Sequence, residues 1–313
     1  MNPIKHIKLE KNMKVSDLVS QMSQAGFGAR KIGLANQIVE KIFTNDKCKV
    51  FMGLAGAMVP AGMRKIIVEL MRKGCIDVFV TTGANLVHDL IEALGHHHIK
   101  GVYTESDVEL RMKGISRIYD VYVQDEAFES LEKWLLRRYA EISEEVVGSA
   151  SPTISISELL SYLGSKVNDK NSILRTAYDL EIPVFCPAIQ DSILGLHAWL
   201  FNQTKNLRVD VFSDMNSIIE IAYKSEKNGA FVIGGGVPKN FILQTMLVTP
   251  DGFDYVIQLT MDRPETGGLS GATLEEAQSW GKVSEDAKTV TVYSDATITL
   301  PILVASLFTR LKR

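Results

Sequence analysis

Several signals are missing from this 313-residue chain, and each absence closes a class of function. Cysteine is scarce: Cys48, Cys75 and Cys186 are the only three. They are far apart and form no CxxC or CxxxH spacing, so neither a disulfide framework nor a zinc site is indicated. Each lies in or just after an apolar run, the usual setting of a reduced, buried thiol. A basic excess is also missing. With 34 Lys and Arg against 37 Asp and Glu, the net charge is −3 and the pI near 6.1. That excludes a general nucleic-acid surface and leaves room only for a local basic patch. No apolar stretch approaches the ~18–20 residues of a membrane span. The first ten residues are polar and basic, without the apolar core of a secretory signal. A cytoplasmic protein that meets neither nucleic acid nor membrane is expected. There is no low-complexity tract, no linker rich in Pro, Gly or Ser, and no sequence repeat.

What remains is 46% hydrophobic and 23% charged residues, an ordinary globular balance with ample material for a buried core. Residues 1–46 read as a helical segment, because Val15, Leu18, Val19 and Met22 recur at helical spacing, as do Leu34, Ile38, Val39 and Ile42. From residue 47 to 313 one grammar recurs: a short apolar strand, a loop of small or polar residues, then an amphipathic helix. Strands are expected at 49–52, 77–81, 183–186, 231–233, 255–259 and 289–293. Helices are expected at 64–73 and 87–94, from near Lys239, and at the C-terminus. Strands alternating with helices mean parallel pairing, since a crossover helix joins parallel neighbours. The expected fold is α/β: one Rossmann-like domain, a mostly parallel sheet with helices on both faces. Such sheets bind ligands at the carboxyl ends of their strands, where Thr82, Asp191, Gly234–Gly236 and Asp295 fall.

Four motifs stand out, each with a plain structural reading beside a chemical one. Gly234-Gly235-Gly236, between a strand and a helix, is either a phosphate cradle or a tight turn. Thr273-Leu274-Glu275-Glu276 is a capping box, with Thr273 as N-cap and Glu276 reaching back to its N–H. The short helix it starts ends at Gly281, so Lys282 emerges beside Trp280 as a helix-end cation or as a nucleophile. His96-His97-His98 with His88 suggests a metal, but consecutive residues diverge, and a loop after the helix is the simpler reading. No metal is expected. The helix at 126–138, with Leu131, Trp134 and Leu135 on one face, is core packing. The polar stretch Gly164–Ser172 reads as a mobile insertion too short to divide the domain.

Taken in order, Thr81-Thr82, Pro183 through Asp191, Gly234-Gly-Gly-Val-Pro-Lys239, Ser270-Gly-Ala272, Glu276-Ala-Gln-Ser-Trp280-Gly-Lys282 and Tyr293-Ser-Asp295-Ala296 closely resemble the deoxyhypusine synthase family. The resemblance runs from about Lys49 to the C-terminus, and its Glu-x-x-Ser-Trp-Gly-Lys segment is highly specific. It implies a homotetramer with NAD and polyamine sites at subunit interfaces. Spermidine is oxidised to an imine by hydride transfer to NAD, and Lys282 captures the aminobutyl group as a Schiff base. An acceptor amine then displaces Lys282; in deoxyhypusine synthase this is a lysine of translation initiation factor 5A. On matched positions, Thr82, Asp191, Gly234, Gly236 and Asp295 would contact NAD, while Glu276 and Trp280 would hold the polyamine. Burial of Lys282 beside Trp280 and Val283 would favour its neutral form.

This sequence departs from the family's pattern in its substrate half. Leu196 and Leu269 stand where the family has acids, Asn240 where it has a histidine, and Val87 and His88 where it has tandem glutamates. Asp262 and Glu265 are the acids that stand nearby in sequence. The departures leave room for homospermidine synthase-like transfer to a free diamine, or for an NAD-binding scaffold without activity.

Overall fold

The computed structural model describes residues 2–147 and 153–311. The chain forms two compact units: Met1–Ala55 with Lys73–Val80 and Met215–Arg313, and Gly56–Arg72 with Thr81–Asp214.

The first unit is built on a parallel sheet. Its strands stand in the spatial order Val283–Tyr293, Phe253–Thr260, Lys227–Ile233, Cys48–Leu54, Val78–Thr81. Pairing is parallel with Met52 opposite Phe231, Ile257 opposite Phe231, and Ile257 opposite Val290. Phe51, Met52, Val232, Ile233, Ile257 and Leu259 are all fully buried, as expected of strands covered on both faces.

Neighbouring side chains of one strand show which helix covers which face. Phe231 packs edge-on against Phe43 of the helix Phe27–Phe43, ring centroids 6.3 Å apart. A Cβ on Gly229, two residues away on the same face, would come within 2.9 Å of Ile42 in that helix. On the opposite face, a Cβ on Gly53 would meet Val232 and, at 3.0 Å, Ile242 of the helix Gly236–Thr245. Alternation along the strand thus places one helix on each side.

Several elements differ in extent from the sequence expectation. The edge strand runs from Val283 rather than Thr289. Its Glu285–Lys288 segment is polar, which hides it from a search for apolar runs, but an edge strand tolerates charge. The helix expected near Lys239 starts at Gly236, immediately after the glycine turn.

In the second unit, Thr82 is the N-cap of the helix Gly83–Ala93, so the helix expected from residue 87 begins four residues earlier. Close packing explains the glycine there, since a Cβ on Gly83 would lie 2.3 Å from Ser192 Oγ. Asp89, on the same helix and wholly buried, accepts hydrogen bonds from Arg64 Nε at 2.6 Å, Ser172 Oγ at 2.7 Å and Ile173 N at 2.9 Å. It therefore caps the helix Ile173–Asp179 from outside. Arg64 also bonds Asp169 at 2.8 Å, so the Gly164–Ser172 stretch is anchored at two points instead of hanging free. The helix Asp125–Val147 buries Leu131 and Leu135 as its spacing foretold. An antiparallel sheet of three short strands sets Val121–Gln124 between Ile99–Lys100 and Ile115–Ile118.

No disulfide joins the three cysteines, and all three are buried. Burial pushes the thiols of Cys48 and Cys186 up to about 12. Among the described residues, no helix is long and apolar enough to cross a membrane.

Candidate active site

The sequence-expected site residues fall into one set on each unit. The first unit carries Gly234, Gly236, Glu276, Trp280, Lys282 and Asp295.

The strand Lys227–Ile233 ends at Gly234, whose φ of 78° lies in the left-handed region where glycine carries no Cβ penalty. One buried side chain then ties this turn to a second loop. Gln258 Nε2 donates to Gly234 O at 2.9 Å and to Ser270 O at 2.8 Å. Ser270 Oγ in turn accepts from Gly236 N at 2.9 Å. A Cβ on Gly235 would sit 2.5 Å from Ser270 Cα, so the two backbones are too close for any side chain there. The N–H groups of Gly235 and Val237 have no hydrogen-bond partner among the described residues. Two free donors at the positive end of a ten-residue helix form a site that can take an anionic group.

Lys239 follows on this helix and is 1% exposed. Its Nζ donates to Leu269 O at 3.2 Å and, more closely, to Ala272 O. Burial pushes its ammonium down to about 8; Glu276 and Asp262 pull the other way and Lys282 adds repulsion. Sequence reading assigned it no role, although a lysine between the buried Pro238 and Phe241 was the available signal. Because the folded pKa lies below the ordinary 10.5, the unfolded chain binds the extra proton between these values. Stability should therefore rise with pH from about 8 to about 10.5, by up to ~1.4 kcal/mol per unit, and then level off. Denaturant unfolding at a series of pH values checks this, and Lys239→Met should flatten that part of the curve.

Lys282 sits at a junction. Gly281, with φ 71°, closes the helix Leu274–Ser279, and the strand Val283–Tyr293 begins one residue after Lys282. The Lys282 backbone is held on both sides: its N–H donates to Ala277 O at 3.1 Å and its carbonyl accepts from Phe253 N at 3.1 Å. The side chain is half-buried, with Nζ 3.4 Å from Asn240 Oδ1 and 5.5 Å from the Trp280 ring centroid. Asn240 Nδ2 donates to Gln244 Oε1 at 3.0 Å, which turns its carbonyl oxygen toward the lysine. Lys282 makes no ion pair among the described residues. Trp280, expected to bury it, is 63% exposed in the single chain.

Only half of the expected capping box forms. Thr273 Oγ1 accepts from Glu276 N at 3.0 Å, but the Glu276 carboxylate does not return the contact. It stays exposed on the side of Lys239, without a hydrogen-bond partner among the described residues. Asp295 caps the C-terminal helix Ala296–Phe308, its Oδ1 accepting from Thr297 N at 2.7 Å and from Thr297 Oγ1 at 2.8 Å. Its second oxygen has no hydrogen-bond partner among the described residues.

The second unit carries Thr82 and Asp191. Thr82 is half-buried, its hydroxyl 3.4 Å from Asn85 Nδ2. Asp191 is exposed and its carboxylate is unpaired among the described residues. Leu196 is 50% exposed on the helix Ile193–Phe201.

The fold is thus a Rossmann-like α/β arrangement with a glycine turn and an unpaired lysine mounted on one parallel sheet. Comparison with known proteins agrees with that class. The family described as deoxyhypusine synthase matches residues 17–307. "Probable deoxyhypusine synthase 1" of Methanosarcina acetivorans is 54% identical over 99% of this chain and 96% of its own length. The protein of the same designation from Archaeoglobus fulgidus is 46% identical over 97% of each chain. A crystal structure from Entamoeba histolytica, provisionally designated a deoxyhypusine synthase, superposes with a TM-score of 0.72 at 21% identity, covering 99% of this chain and 98% of that one. The chain belongs to the deoxyhypusine synthase family, a family of transferases.

Proposed function

We propose that this chain is an NAD-dependent transferase that moves an aminobutyl group from a polyamine such as spermidine, through a Schiff base on Lys282, to an acceptor lysine of a translation initiation factor 5A-type protein. The observation that carries the reading is the state of Lys282. Its backbone is fixed on both sides and its amine has a neutral amide oxygen, not a carboxylate, as neighbour. Among the described residues no carboxylate pairs with the amine, which leaves it available as a nucleophile.

Thr82, Asp191, Gly234, Gly236 and Asp295 are the residues that would hold NAD. The free N–H groups of Gly235 and Val237 suit a pyrophosphate, and the uncommitted oxygen of Asp295 suits a ribose hydroxyl. When bound, NAD supplies the acceptor for the donor's hydride and its later return. The chain's own part is covalent. Neutral Lys282 attacks the imine carbon, the bond to the departing diamine breaks, and the aminobutyl group stays on Nζ until an acceptor amine displaces it. Glu276, left free by the half-formed cap, and Trp280 would hold the polyamine, one by charge and one through its ring face.

A homotetramer in the cytoplasm belongs to the same reading. Leu196, Trp199 and Leu200 are 50%, 58% and 41% exposed on one helix, an apolar face suited to a second copy. A second reading, homospermidine synthase-like transfer to a free diamine, is favoured by Leu196 and Leu269 at positions where the family carries acids.

Borohydride trapping tests the proposal. Given NAD and a donor amine, the protein should acquire a reduced adduct that peptide mass spectrometry places on Lys282. Transfer without such an adduct would refute the covalent role, and no turnover of any donor or acceptor would favour the idle NAD-binding scaffold.

A further inference from the structure

The second unit holds a cavity of about 660 Å³, a size that suits a small ligand. Its walls are the helix Ile156–Ser165, the helix Ile173–Asp179 and the segment that leads into the strand Val184–Phe185. None of the residues assigned to NAD, the polyamine or the transfer lines it. The segment enters the strand at its amino end, whereas Asp191 follows the carboxyl end, the side on which α/β sheets bind ligands.

Burial divides the wall into a floor and a rim. Leu160, Leu174, Ala177 and Val184 are 0–5% exposed and make the floor apolar. Glu158, Ser161, Tyr178, Asp179 and Glu181 are exposed around it. No Lys, Arg or His stands among the described residues that line the cavity.

Of the three rim carboxylates, one already has a cation. Arg175 holds Asp179 by two bonds, Nε to Oδ2 at 2.9 Å and Nη2 to Oδ1 at 2.8 Å. Glu158 closes a capping box, its Oε2 accepting from Ser155 N at 2.8 Å, and makes no ion pair among the described residues. The Glu181 carboxylate has neither a hydrogen bond nor an ion pair among the described residues. Glu181 stands at φ 54°, just past a helix end closed by Ile182 N donating to Ala177 O at 2.9 Å, where glycine is favoured. A glutamate there carries a backbone cost that no polar contact within the described chain offsets.

An anionic guest does not fit. The N–H groups of Ser157 and Glu158, at the start of their helix, are taken by Asp214 Oδ1 and Ser155 Oγ, each at 3.1 Å. Asp214 is 2% exposed, also accepts from Ser157 Oγ at 2.7 Å, and makes no ion pair among the described residues. Burial lifts it above the ordinary carboxylate value, with the hydrogen bonds from Ser157 and Ser155 opposing. Its charge lies directly behind Ser157 on the cavity wall. The space is therefore negative above an apolar floor, with two rim carboxylates that no internal cation answers.

We propose that this cavity binds a linear aliphatic diammonium ion, whose methylene chain lies on the floor of Leu160, Leu174 and Val184 and whose ammonium groups face Glu158 and Glu181. Two unanswered charges call for two ammonium groups, and the floor calls for methylenes between them. The site stands whether or not transfer occurs at Lys282.

Fluorine NMR of the full chain carrying 3-fluorotyrosine reads the cavity directly, because Tyr178 lines it and Tyr178→Phe identifies the signal. Four probes share a five-carbon chain: the 1,5-diammonium ion, pentylammonium, 1,5-pentanediol and glutarate. The diammonium should shift the Tyr178 signal saturably and bind at least about fivefold more tightly than pentylammonium, the upper end for one exposed ion pair. Salt at about 1 M should erase that margin. Glu158→Gln keeps an oxygen for Ser155 N, and Glu181→Gly suits the backbone, so both variants should fold. Each should bring the diammonium's affinity down to that of pentylammonium. An unmoved Tyr178 signal, equal binding of the two amines, tightest binding of the diol or of glutarate, or unchanged affinity in both variants would each overturn the proposal.

Discussion

Lys282→Ala should abolish aminobutyl transfer while leaving the fold and NAD affinity nearly unchanged. The expected fall in turnover is on the order of 10⁴-fold or more, the scale seen when a catalytic nucleophile that acts as part of a unit is removed. The lysine contributes little to stability that alanine would forfeit, since among the described residues its side chain makes no ion pair and its polar contact to Asn240 is long at 3.4 Å. Its backbone contacts to Ala277 and Phe253 survive the substitution. A steady-state transfer assay, read beside thermal unfolding and NAD titration of the same variant, separates the outcomes. Substantial transfer by the alanine variant would remove Lys282 from the chemistry. Loss of folding would show instead that the lysine is structural.

The second large effect concerns the donor. Leu196 and Leu269 occupy positions where the family carries acids, and spermidine brings three positive charges. An ammonium deprived of its buried carboxylate forfeits ~3–5 kcal/mol, which at ~1.4 kcal/mol per decade weakens binding several hundredfold or more. The Leu269 carbonyl receives the Lys239 ammonium, so this loop meets a cation from inside the protein. Glu276 and Asp262 remain on the same side, and both act on Lys239. Spermidine should therefore be a poor donor, at least about a hundredfold less efficient than an amine with fewer charges. Rates across spermidine, putrescine and agmatine measure the difference. Leu269→Asp should improve spermidine selectively. If spermidine turns over best at micromolar concentration, Glu276 and Asp262 suffice and the leucines carry no such meaning.

These two expectations rest on different kinds of information. Chain order alone placed Lys282 just past the end of a short helix, because Thr273 and Gly281 are local signals that act within a few residues. The parallel sheet was legible for the same reason: apolar runs such as Phe231–Ile233 and Tyr255–Leu259 alternate with helical periodicity, and burial on both faces demands that pattern. The start of the edge strand at Val283 was not legible, since its pairing shifts register before Lys288 and Glu285, Asp286 and Lys288 are exposed polar side chains.

Tertiary structure decided what each candidate touches. Asn240 meets Lys282 across 42 residues of sequence, and Gln258 joins two loops that no spacing rule connects. Lys239 became a buried ammonium because two carbonyls of a distant loop replace its hydration. Glu276, a capping residue on local grounds, was left free when the fold closed only one of the box's two bonds. The histidines show the division most sharply. Sequence determined that His96, His97 and His98 diverge and that His88 lies one helix away. Only the folded chain could set His98 between Glu92 and His88, because a hydrogen bond needs its partners within about 3 Å and periodicity fixes the side of an element, not the distance across it.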